Sequence, residues 1–512
     1  MSRYLCVHGH FYQPPRENPW TGEIGVEASA APFRNWNERI TEECYRPNAH
    51  PVSRSADGTR REMPSNYSRM SFNFGPTLFE WLDRRAPDVA QEIRHADRES
   101  RDRFSGHGSA IAQGYNHMIL PLANARDRRT QVLWGIRDFE HRFARSPEGL
   151  WLPETAVDLP TLEVLASLAI RFTILAPQQA RRVRPLAGGE WEDVSGGRID
   201  PRRPYAVNLP SGARIAIFFY DGPVAGAIAF GALAEGGERL ARRLAGLAAE
   251  VPGPQLLHVA TDGETYGHHH NGGEVALAEA LDLLPASGFV RLSNYGEFLS
   301  LHPPTHEVEI VEDTAWSCAH GLGRWKEDCS CRTGLHPGWV QAWRGPLRDA
   351  LDALRDGLAR VFEERGGAIF GDPWEARDAS IAVVLDPSGE ALDDLLRRMG
   401  RLPADAQGLD GEHRARAKAL LDMQRQAMLM YTSCGWFFDD PSGLETTQIL
   451  RYAARAIELC PEPDRAPIEA GFLRRLEEIR SNDSEVGTAR QIFEANAGPL
   501  RVEGTGAGNQ AP

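Results

Sequence analysis

Short apolar segments alternate with helical patterns through the first 302 residues, and this alternation limits the possible folds most strongly. Runs 4–7, 172–176 and 214–220 have the length and composition of buried strands, whereas 126–144 and 274–284 repeat apolar residues at helical spacing. Strands separated by helices pair in parallel, because each connection has to cross the sheet. The number of units favours a closed or nearly closed (β/α) barrel over an open sheet.

The pattern changes from about residue 303 onward. Residues 347–365, 411–431 and 444–460 show helical apolar spacing and are rich in Ala, Leu and Arg. The sequence therefore predicts a barrel domain over 1–302 and a mainly helical domain over 303–502. The Gly-containing tail 503–512 is expected to be disordered.

The stretch 256–270 is the strongest candidate for a functional site. A short apolar run ends there in two acids, Asp262 and Glu264, and three consecutive histidines that begin at His268. Gly263 and Gly267 allow the backbone to turn sharply and to approach a ligand closely. Such a cluster is typical of a site at the carboxyl end of a strand.

Other strand ends carry similar polar groups. His8 and His10 are two residues apart on the first predicted strand and so point to one face, which suits either a metal pair or hydrogen bonds to sugar hydroxyls. Trp151 lies near Glu154 and is expected to form an apolar wall beside its carboxylate. The strand-like run 115–121 contains a further histidine, His117.

Charge and cysteine content narrow the class of protein. The 57 Lys and Arg against 71 Asp and Glu give a net charge of -14, which indicates no attraction to nucleic acid or to an anionic membrane. The seven cysteines are odd in number and unevenly spaced, which argues against a secreted disulfide framework. The start is strand-like, and no later run reaches the roughly 18 apolar residues of a membrane span. We expect a cytoplasmic protein.

Cys318, His320, Cys329 and Cys331 suggest zinc by residue type. Their spacing matches no paired C-x-x-C pattern, so ordinary reduced cysteines are the expectation. No glycine-rich phosphate-binding motif is present either. The sequence therefore predicts neither a metal nor a cofactor.

Five short segments, taken together and in order, resemble the conserved regions of glycoside hydrolase family 57. They are His10-Phe11-Tyr12-Gln13-Pro14, Gly114-Tyr115-Asn116-His117, Trp151-Leu152-Pro153-Glu154, Asp262-Gly263-Glu264-Thr265-Tyr266-Gly267-His268 and Asn294-Tyr295-Gly296-Glu297. The resemblance covers about residues 1–300. It implies a retaining enzyme active mainly on α-glucans, with an incomplete seven-stranded (β/α) barrel followed by a helical region.

The resemblance also implies roles for individual residues. Glu154 corresponds to the nucleophile and Asp262 to the general acid/base. The side chains expected to bind substrate are His8, His10, Gln13, His117, Trp151, Glu264, His268, Trp316 and Trp436. One position departs from the family pattern, because Tyr12 stands where the first region usually has a second histidine.

The chemistry is consistent with these assignments. Retaining cleavage needs one carboxylate to attack the anomeric carbon and another group to protonate the leaving oxygen, roughly 5 to 5.5 Å away. Two further hypotheses stay open. The first is a metal-dependent carbohydrate deacetylase or mannosidase-like enzyme, suggested by His8, His10, Asp262 and the histidine run 268–270. The second is a non-catalytic glucan-binding protein, suggested by the large helical domain. The sequence leaves open the linkage preference, the oligomeric state, and the choice among hydrolysis, transfer and branching.

Overall fold

A computed structural model describes residues 2–54, 58–334, 336–386, 388–401 and 411–497. The strands within these residues are β1 Arg3–Phe11, β2 Val52–Arg54, β3 Arg60–Glu62, β4 Ser71–Phe74, β5 Ala112–Gln113, β6 Leu150–Trp151, β7 Phe172–Leu175, β8 Ala180–Pro185, β9 Glu192–Asp193, β10 Tyr205–Asn208, β11 Arg214–Phe219, β12 Gln255–Asp262, β13 Arg291–Leu292 and β14 His306–Ile310. The predicted disordered tail 503–512 lies outside the described residues.

Helices occupy the connections and most of the C-terminal part. They are α1 Trp36–Ile40, α2 Arg46–Ala49, α3 Pro76–Arg85, α4 Pro87–Arg103, α5 Ala125–Phe143, α6 Leu159–Ser167, α7 Gly222–Ala229, α8 Gly237–Ala245, α9 Gly273–Ala286, α10 Tyr295–Leu301, α11 Arg344–Gly366, α12 Pro373–Ala379, α13 Ile381–Leu385, α14 Glu390–Met399, α15 Gly411–Leu429, α16 Leu444–Leu459 and α17 Arg465–Glu477. No helix in the described part of the chain combines the length and the apolar character of a membrane span.

Seven strands form a continuous parallel series in the order β12, β1, β4, β5, β6, β7, β11. Ladders join most neighbours. Single parallel bridges, Phe72 to Ala110 and Gly149 to Phe172, complete the β4–β5 and β6–β7 steps. At its other edge β11 pairs with the antiparallel β10. This is the incomplete (β/α)7 barrel with a helical C-terminal part that the sequence predicts.

The central strands β1 and β12 are buried along almost their whole length. Helices cover a parallel sheet, so such strands carry mostly apolar residues on both faces. In β1 and β12 the polar residues His8, His10, Thr261 and Asp262 lie toward the carboxyl ends, whereas His258 lies in the middle of β12. In a parallel barrel the carboxyl ends of all strands meet at one rim. The polar ends of β1, β6 and β12 therefore belong to the same rim.

The chain forms two compact units, each built from separated segments. Unit 1 contains Met1–Gln13, Val26–Tyr115 and Phe139–Trp316, and unit 2 contains Pro14–Gly25, Asn116–Asp138 and Ser317–Pro512. This division differs from the single boundary expected at 302/303. The difference arises because two segments from the first half of the chain pack with the C-terminal helices, and such long-range packing leaves no local pattern.

The structure corrects one expected strand. The run 115–121 is not extended, because His117 has a left-handed φ of 55° and Leu120–Leu122 forms a 3-10 turn. The strand of this region is β5, a few residues earlier. The helices α12 to α14 are also additional to those that the apolar spacing indicated.

Candidate active site

Asp262 is the last residue of β12 and lies beside His10 of β1, its partner in the parallel register. The residues that precede Asp262 in β12 are buried, whereas the Asp262 side chain is exposed to solvent. Protein atoms nevertheless surround the carboxyl densely enough to alter its ionisation. Asp262 is therefore a solvent-accessible carboxyl with protein atoms close around it at the end of β12.

Glu154 follows β6 in a tight turn with an unusual backbone. Its φ of 58° and ψ of 20° are left-handed, and the next residue, Thr155, has a φ of 51°. Such conformations cost non-glycine residues about 1–3 kcal/mol each and persist only where the surroundings hold them. Here Gln179 holds the turn, because it accepts from the Thr155 hydroxyl at 2.9 Å and donates to the Thr155 carbonyl at 2.8 Å.

Trp316 donates two hydrogen bonds to Glu154. Its backbone N–H donates to the Glu154 carbonyl at 3.0 Å, and its indole Nε1–H donates to Glu154 Oε2 at 2.9 Å. The indole fixes the direction of the carboxylate and stabilises its charged form, because a hydrogen bond to an ionised acceptor is stronger than one to a neutral acceptor. Glu154 itself is 9% exposed.

The two carboxyl groups influence each other electrostatically. Burial, and then the negative charge of Glu154, raise the pKa of Asp262 to about 7. Burial also raises the pKa of the Tyr220 hydroxyl, and the charge of Asp262 adds to that shift. Glu154 follows β6 and Asp262 ends β12, so both acids lie at the rim where the carboxyl ends of the barrel strands meet.

Aromatic rings form a wall next to these acids. The indole of Trp151 stacks on His8 at 4.9 Å and on His10 at 5.0 Å between ring centroids. Trp316 meets Trp151 edge to face at 5.1 Å, and Tyr220 lies 6.4 Å from Trp316. Burial lowers the pKa of His10 to about 3, so this histidine is neutral at physiological pH.

Asn73, the third residue of β4, organises the histidines. Its Oδ1 bonds His8 Nε2 at 3.1 Å, and its Nδ2 bonds His10 Nδ1 at 2.9 Å and Gln113 Oε1 at 2.7 Å. Sequence reasoning missed Asn73. The available signal was an amide between the two phenylalanines of the run Ser71–Phe74, since a buried amide needs partners.

His8 does not occupy the position expected of a substrate contact. Its side chain is fully buried, and a second hydrogen bond joins its Nδ1 to Ser71 Oγ at 3.0 Å. Trp151 is also fully buried. His8 and Trp151 therefore form the buried part of the aromatic wall and do not contact substrate, because a side chain without exposed surface cannot touch a sugar.

Glu264 lies just beyond Asp262 and is buried. Its Oε1 accepts from the Tyr45 hydroxyl at 2.6 Å and from the Tyr12 backbone N–H at 3.0 Å. Burial raises the pKa of Glu264 to about 8, and the charge of Asp262 contributes in the same direction. Tyr45 was also missed from sequence. The position of Tyr12, where the family pattern has histidine, thus contributes a backbone donor to this carboxyl.

The remaining predicted residues have other surroundings. His268 Nδ1 lies 2.5 Å from Glu43 Oε2, and Gln13 Nε2 donates to the Tyr12 carbonyl at 2.9 Å. His117 belongs to unit 2, where its Nδ1 bonds Ser433 Oγ at 2.6 Å.

Trp436 is likewise a residue of unit 2, and it is fully buried there. Its indole donates to the Arg344 carbonyl at 3.2 Å, and the Arg348 guanidinium lies 4.4 Å from its ring centroid. This interior position corrects the expectation of a substrate contact. Trp316, in contrast, lies beside a catalytic candidate, because its indole donates to Glu154.

The histidines and Asp262 are not arranged as a metal site. Both ring nitrogens of His8 are engaged by Ser71 and Asn73. Among the described residues, the side chains that come close enough to share an ion lie elsewhere, around Cys318. The arrangement suits acid/base and nucleophilic chemistry by carboxyl groups.

A comparison with protein-family models shows the family to which this chain belongs. The family model described as glycosyl hydrolase family 57 matches residues 4–311. The chain belongs to glycosyl hydrolase family 57. A second model, described as a domain of unknown function (DUF3536), matches residues 339–511. A search of curated protein sequences found no match to this family 57 chain.

Solved structures share the fold at low sequence identity. An exo-type maltose-forming amylase from Pyrococcus sp. ST04 aligns with a TM-score of 0.69 and 16% identity, over 97% of this chain and 88% of that one. A branching enzyme from Pyrococcus horikoshii aligns with a TM-score of 0.53 and 15% identity, over 98% and 96%. For a 4-alpha-glucanotransferase from Thermococcus litoralis the values are 0.53 and 14%, over 90% of this chain but 60% of that one.

Proposed function

We propose that this family 57 chain is a retaining enzyme that cleaves or transfers α-glucan chains, with Glu154 as nucleophile and Asp262 as general acid/base. The proposal rests on the placement of the two acids at the carboxyl ends of β6 and β12, with the Glu154 carboxylate held by the Trp316 indole N–H. The charge of Glu154 also raises the pKa of Asp262, as a general acid requires. The substrate class is supported by the amylase, the branching enzyme and the glucanotransferase that share the fold.

In the first step Glu154 attacks the anomeric carbon and Asp262 donates a proton to the glycosidic oxygen that leaves. The Asp262 pKa of about 7 keeps this proton available near neutral pH. Trp316 orients the attacking carboxylate through its indole N–H. A covalent glycosyl-enzyme and a shortened glucan result.

In the second step Asp262 takes a proton from water or from a sugar hydroxyl, which then attacks the glycosyl-enzyme. Esterified Glu154 carries no charge, so one of the two causes that raise the pKa of Asp262 is gone. The pKa of Asp262 therefore falls, which favours the ionised carboxylate at the stage when this group has to act as a base. The same electrostatic coupling therefore serves both halves of the reaction.

Azide rescue tests the two roles separately. With an α-maltosyl fluoride donor, we expect Glu154→Gly to form the β-glycosyl azide, because azide replaces the missing nucleophile on the opposite face. We expect Asp262→Gly to form the α-glycosyl azide, because azide attacks the covalent intermediate that Glu154 still forms. The opposite pairing would reverse the roles, and no azide product from either variant would contradict the mechanism.

Product sizes identify the reaction. Maltooligosaccharides incubated with the protein are expected to yield shorter chains in hydrolysis, both longer and shorter chains in transfer, and new branch points in branching. Glu154→Gln serves as the inactive control. Binding of glucan without any cleavage or transfer by the unaltered protein would instead support the non-catalytic reading.

A further inference from the structure

Four side chains that play no part in the proposed reaction converge within unit 2. Cys318 Sγ lies 4.0 Å from Cys329 Sγ and 3.8 Å from Cys331 Sγ, and Cys331 Sγ lies 3.4 Å from His320 Nδ1. All four potential ligand atoms lie within 4.8 Å of one another. Cys318 and Cys329 are buried and Cys331 is half-buried.

These distances fit a tetrahedral ion. With Zn–S near 2.3 Å and Zn–N near 2.0–2.1 Å, a regular tetrahedron places sulfur atoms roughly 3.8 Å apart and sulfur and nitrogen roughly 3.5 Å apart. Both sulfur–sulfur separations given above, 4.0 and 3.8 Å, and the sulfur–nitrogen separation of 3.4 Å lie close to these values. Thiolate and imidazole together are the donors that zinc prefers in this geometry.

We propose that Cys318, His320, Cys329 and Cys331 bind one Zn²⁺ as a structural site. Four protein ligands fill the coordination sphere and leave no position for a water or a substrate, so the ion has no catalytic role. Binding releases three protons, one from each cysteine thiol, because the thiolate is the form that ligates. The inference is independent of the glucan chemistry proposed above.

The charge around the cluster favours this assignment. Three thiolates and one Zn²⁺ leave a net charge of -1, which needs a compensating group in a buried place. Arg344 provides it: the residue is fully buried, and its Nη1 lies 3.8 Å from Cys329 Sγ and donates to the Cys331 carbonyl at 2.8 Å. Arginine in this position both orients the ligand-bearing loop and stabilises the thiolates.

Most described residues of the loop that carries the four ligands lie outside helices and strands, so a metal ion could stabilise this loop. Between β14 and α11, the described residues of the chain contain one short helical turn, Gly323–Trp325, and no strand. A loop of this length has little regular hydrogen bonding, and a metal cross-link stabilises it by removing freedom from the unfolded chain. The zinc would join Cys318 and Cys331, two positions inside this loop, and so fix the part of the loop between them.

The spacing rule that argued against zinc describes only one type of loop. C-x-x-C motifs place two thiolates on a single tight turn. Here the ligands form one C-x-H pair and one C-x-C pair, separated by eight residues, and the fold brings the two pairs together. The geometry therefore favours the metal over the expected reduced cysteines.

Metal analysis of the purified full-length chain tests the proposal directly. We expect about one zinc per chain. Cys331→Ser should lower this to a small fraction, whereas Cys434→Ser, a matched change of another half-buried cysteine of unit 2, should leave it unchanged. Absence of zinc from the unaltered protein after growth with added zinc, a different stoichiometric metal, or equal loss in both variants would overturn the proposal.

A second variant separates ligand loss from misfolding. His320 is exposed, so His320→Asn should leave the circular dichroism spectrum and the unfolding midpoint of the zinc-free chain unchanged. Titration with Co²⁺ should give the intense visible bands of a tetrahedral thiolate site in the unaltered chain, and weaker, shifted bands in His320→Asn. Identical spectra would remove His320 from the site, and octahedral spectra in the unaltered chain would refute it. A disulfide among the three cysteines, detected by thiol counting under reducing purification, would do the same.

Discussion

The barrel rim of unit 1 and the interior of unit 2 differ in how their ionisable groups are stabilised. At the rim, burial raises the pKa values of Asp262 and Glu264 to about 7 and about 8. In unit 2, the buried Arg377 donates to Asp127 at 2.6 Å and to the Thr130 hydroxyl at 2.7 Å, so its charge is matched. Glu264 at the rim and Arg377 in unit 2 are both buried, but only Arg377 has a partner of opposite charge among the described contacts.

This difference distinguishes residues that take part in the proposed reaction from residues that stabilise the fold. A carboxyl that is kept near its titration point at neutral pH lowers the stability of the fold, and such groups persist where a proton has to move. A buried ion pair serves to hold elements in place, here α5 and α12. Changes at the rim should therefore affect turnover without unfolding the protein, and changes at the Arg377 pair should do the reverse.

The largest effect is expected from Glu154→Gln. Removal of the nucleophile should reduce kcat on α-glucans by about 10⁴-fold or more, because no covalent intermediate forms. The thermal midpoint should not fall, since the variant removes one of several acidic groups from a crowded cleft. A clear loss of stability together with activity would place Glu154 among the supporting residues.

Arg377→Met should have the next largest effect, on stability. Breaking the buried pair leaves Asp127 charged without its partner and should cost about 3–5 kcal/mol of unfolding free energy, measured by urea denaturation. Arg397→Met is the control, because Arg397 and Asp394 form an exposed pair of little consequence. Similar small losses in both variants would remove the contrast between the two regions.

Trp316→Phe should reduce turnover moderately. The change keeps an aromatic ring but deletes the indole N–H on Glu154, and a hydrogen bond to a charged group is worth about 1.5–3 kcal/mol, or roughly 10- to 150-fold in kcat. The effect should fall on kcat more than on KM, because Trp316 positions the nucleophile. Trp191→Phe, at a half-buried tryptophan of unit 1 that lies against Arg182 and Arg184, should leave kcat unchanged.

The smallest effect concerns the ionisation of Asp262. A general acid with a pKa of about 7 loses its proton above that pH, so activity should decline as pH rises through 7. In Glu154→Gln the pKa of Asp262 should fall but stay above its ordinary value, because burial is the larger cause and remains. Carboxyl NMR of ¹³C-aspartate protein, with Asp262→Asn to assign the signal, measures both. An unchanged pKa would show that the two groups are too far apart to cooperate.

Local patterns were sufficient to predict the barrel and the main C-terminal helices. The run that predicted a strand over 214–220 corresponds to β11, and the spacing over 444–460 corresponds to α16. Apolar periodicity records which face is buried, and so it identifies long regular elements well. It could not predict the backbone at His117, where a left-handed residue interrupts an apolar run.

The candidate site was predictable only in part. Motif order indicated Glu154 and Asp262, but the bond from Trp316 to Glu154 joins residues 162 positions apart and leaves no local trace. Asn73 was missed because its importance depends on two histidines of a neighbouring strand. The buried position of Trp436 was unforeseen for a similar reason, since aromatic residues in a glycine-rich loop look alike whether they cover a ligand or a core.

The interleaved make-up of the two units restricts how the chain can be cut or recombined. Pro14–Gly25 and Asn116–Asp138 are encoded inside the barrel's stretch of sequence but pack in the helical unit, where Trp20 donates to Glu458 at 2.5 Å. A truncation before Ser317 would leave both insertions without the helices they cover. A single cut therefore cannot separate the two units, because any one cut point leaves segments of both units in at least one of the pieces.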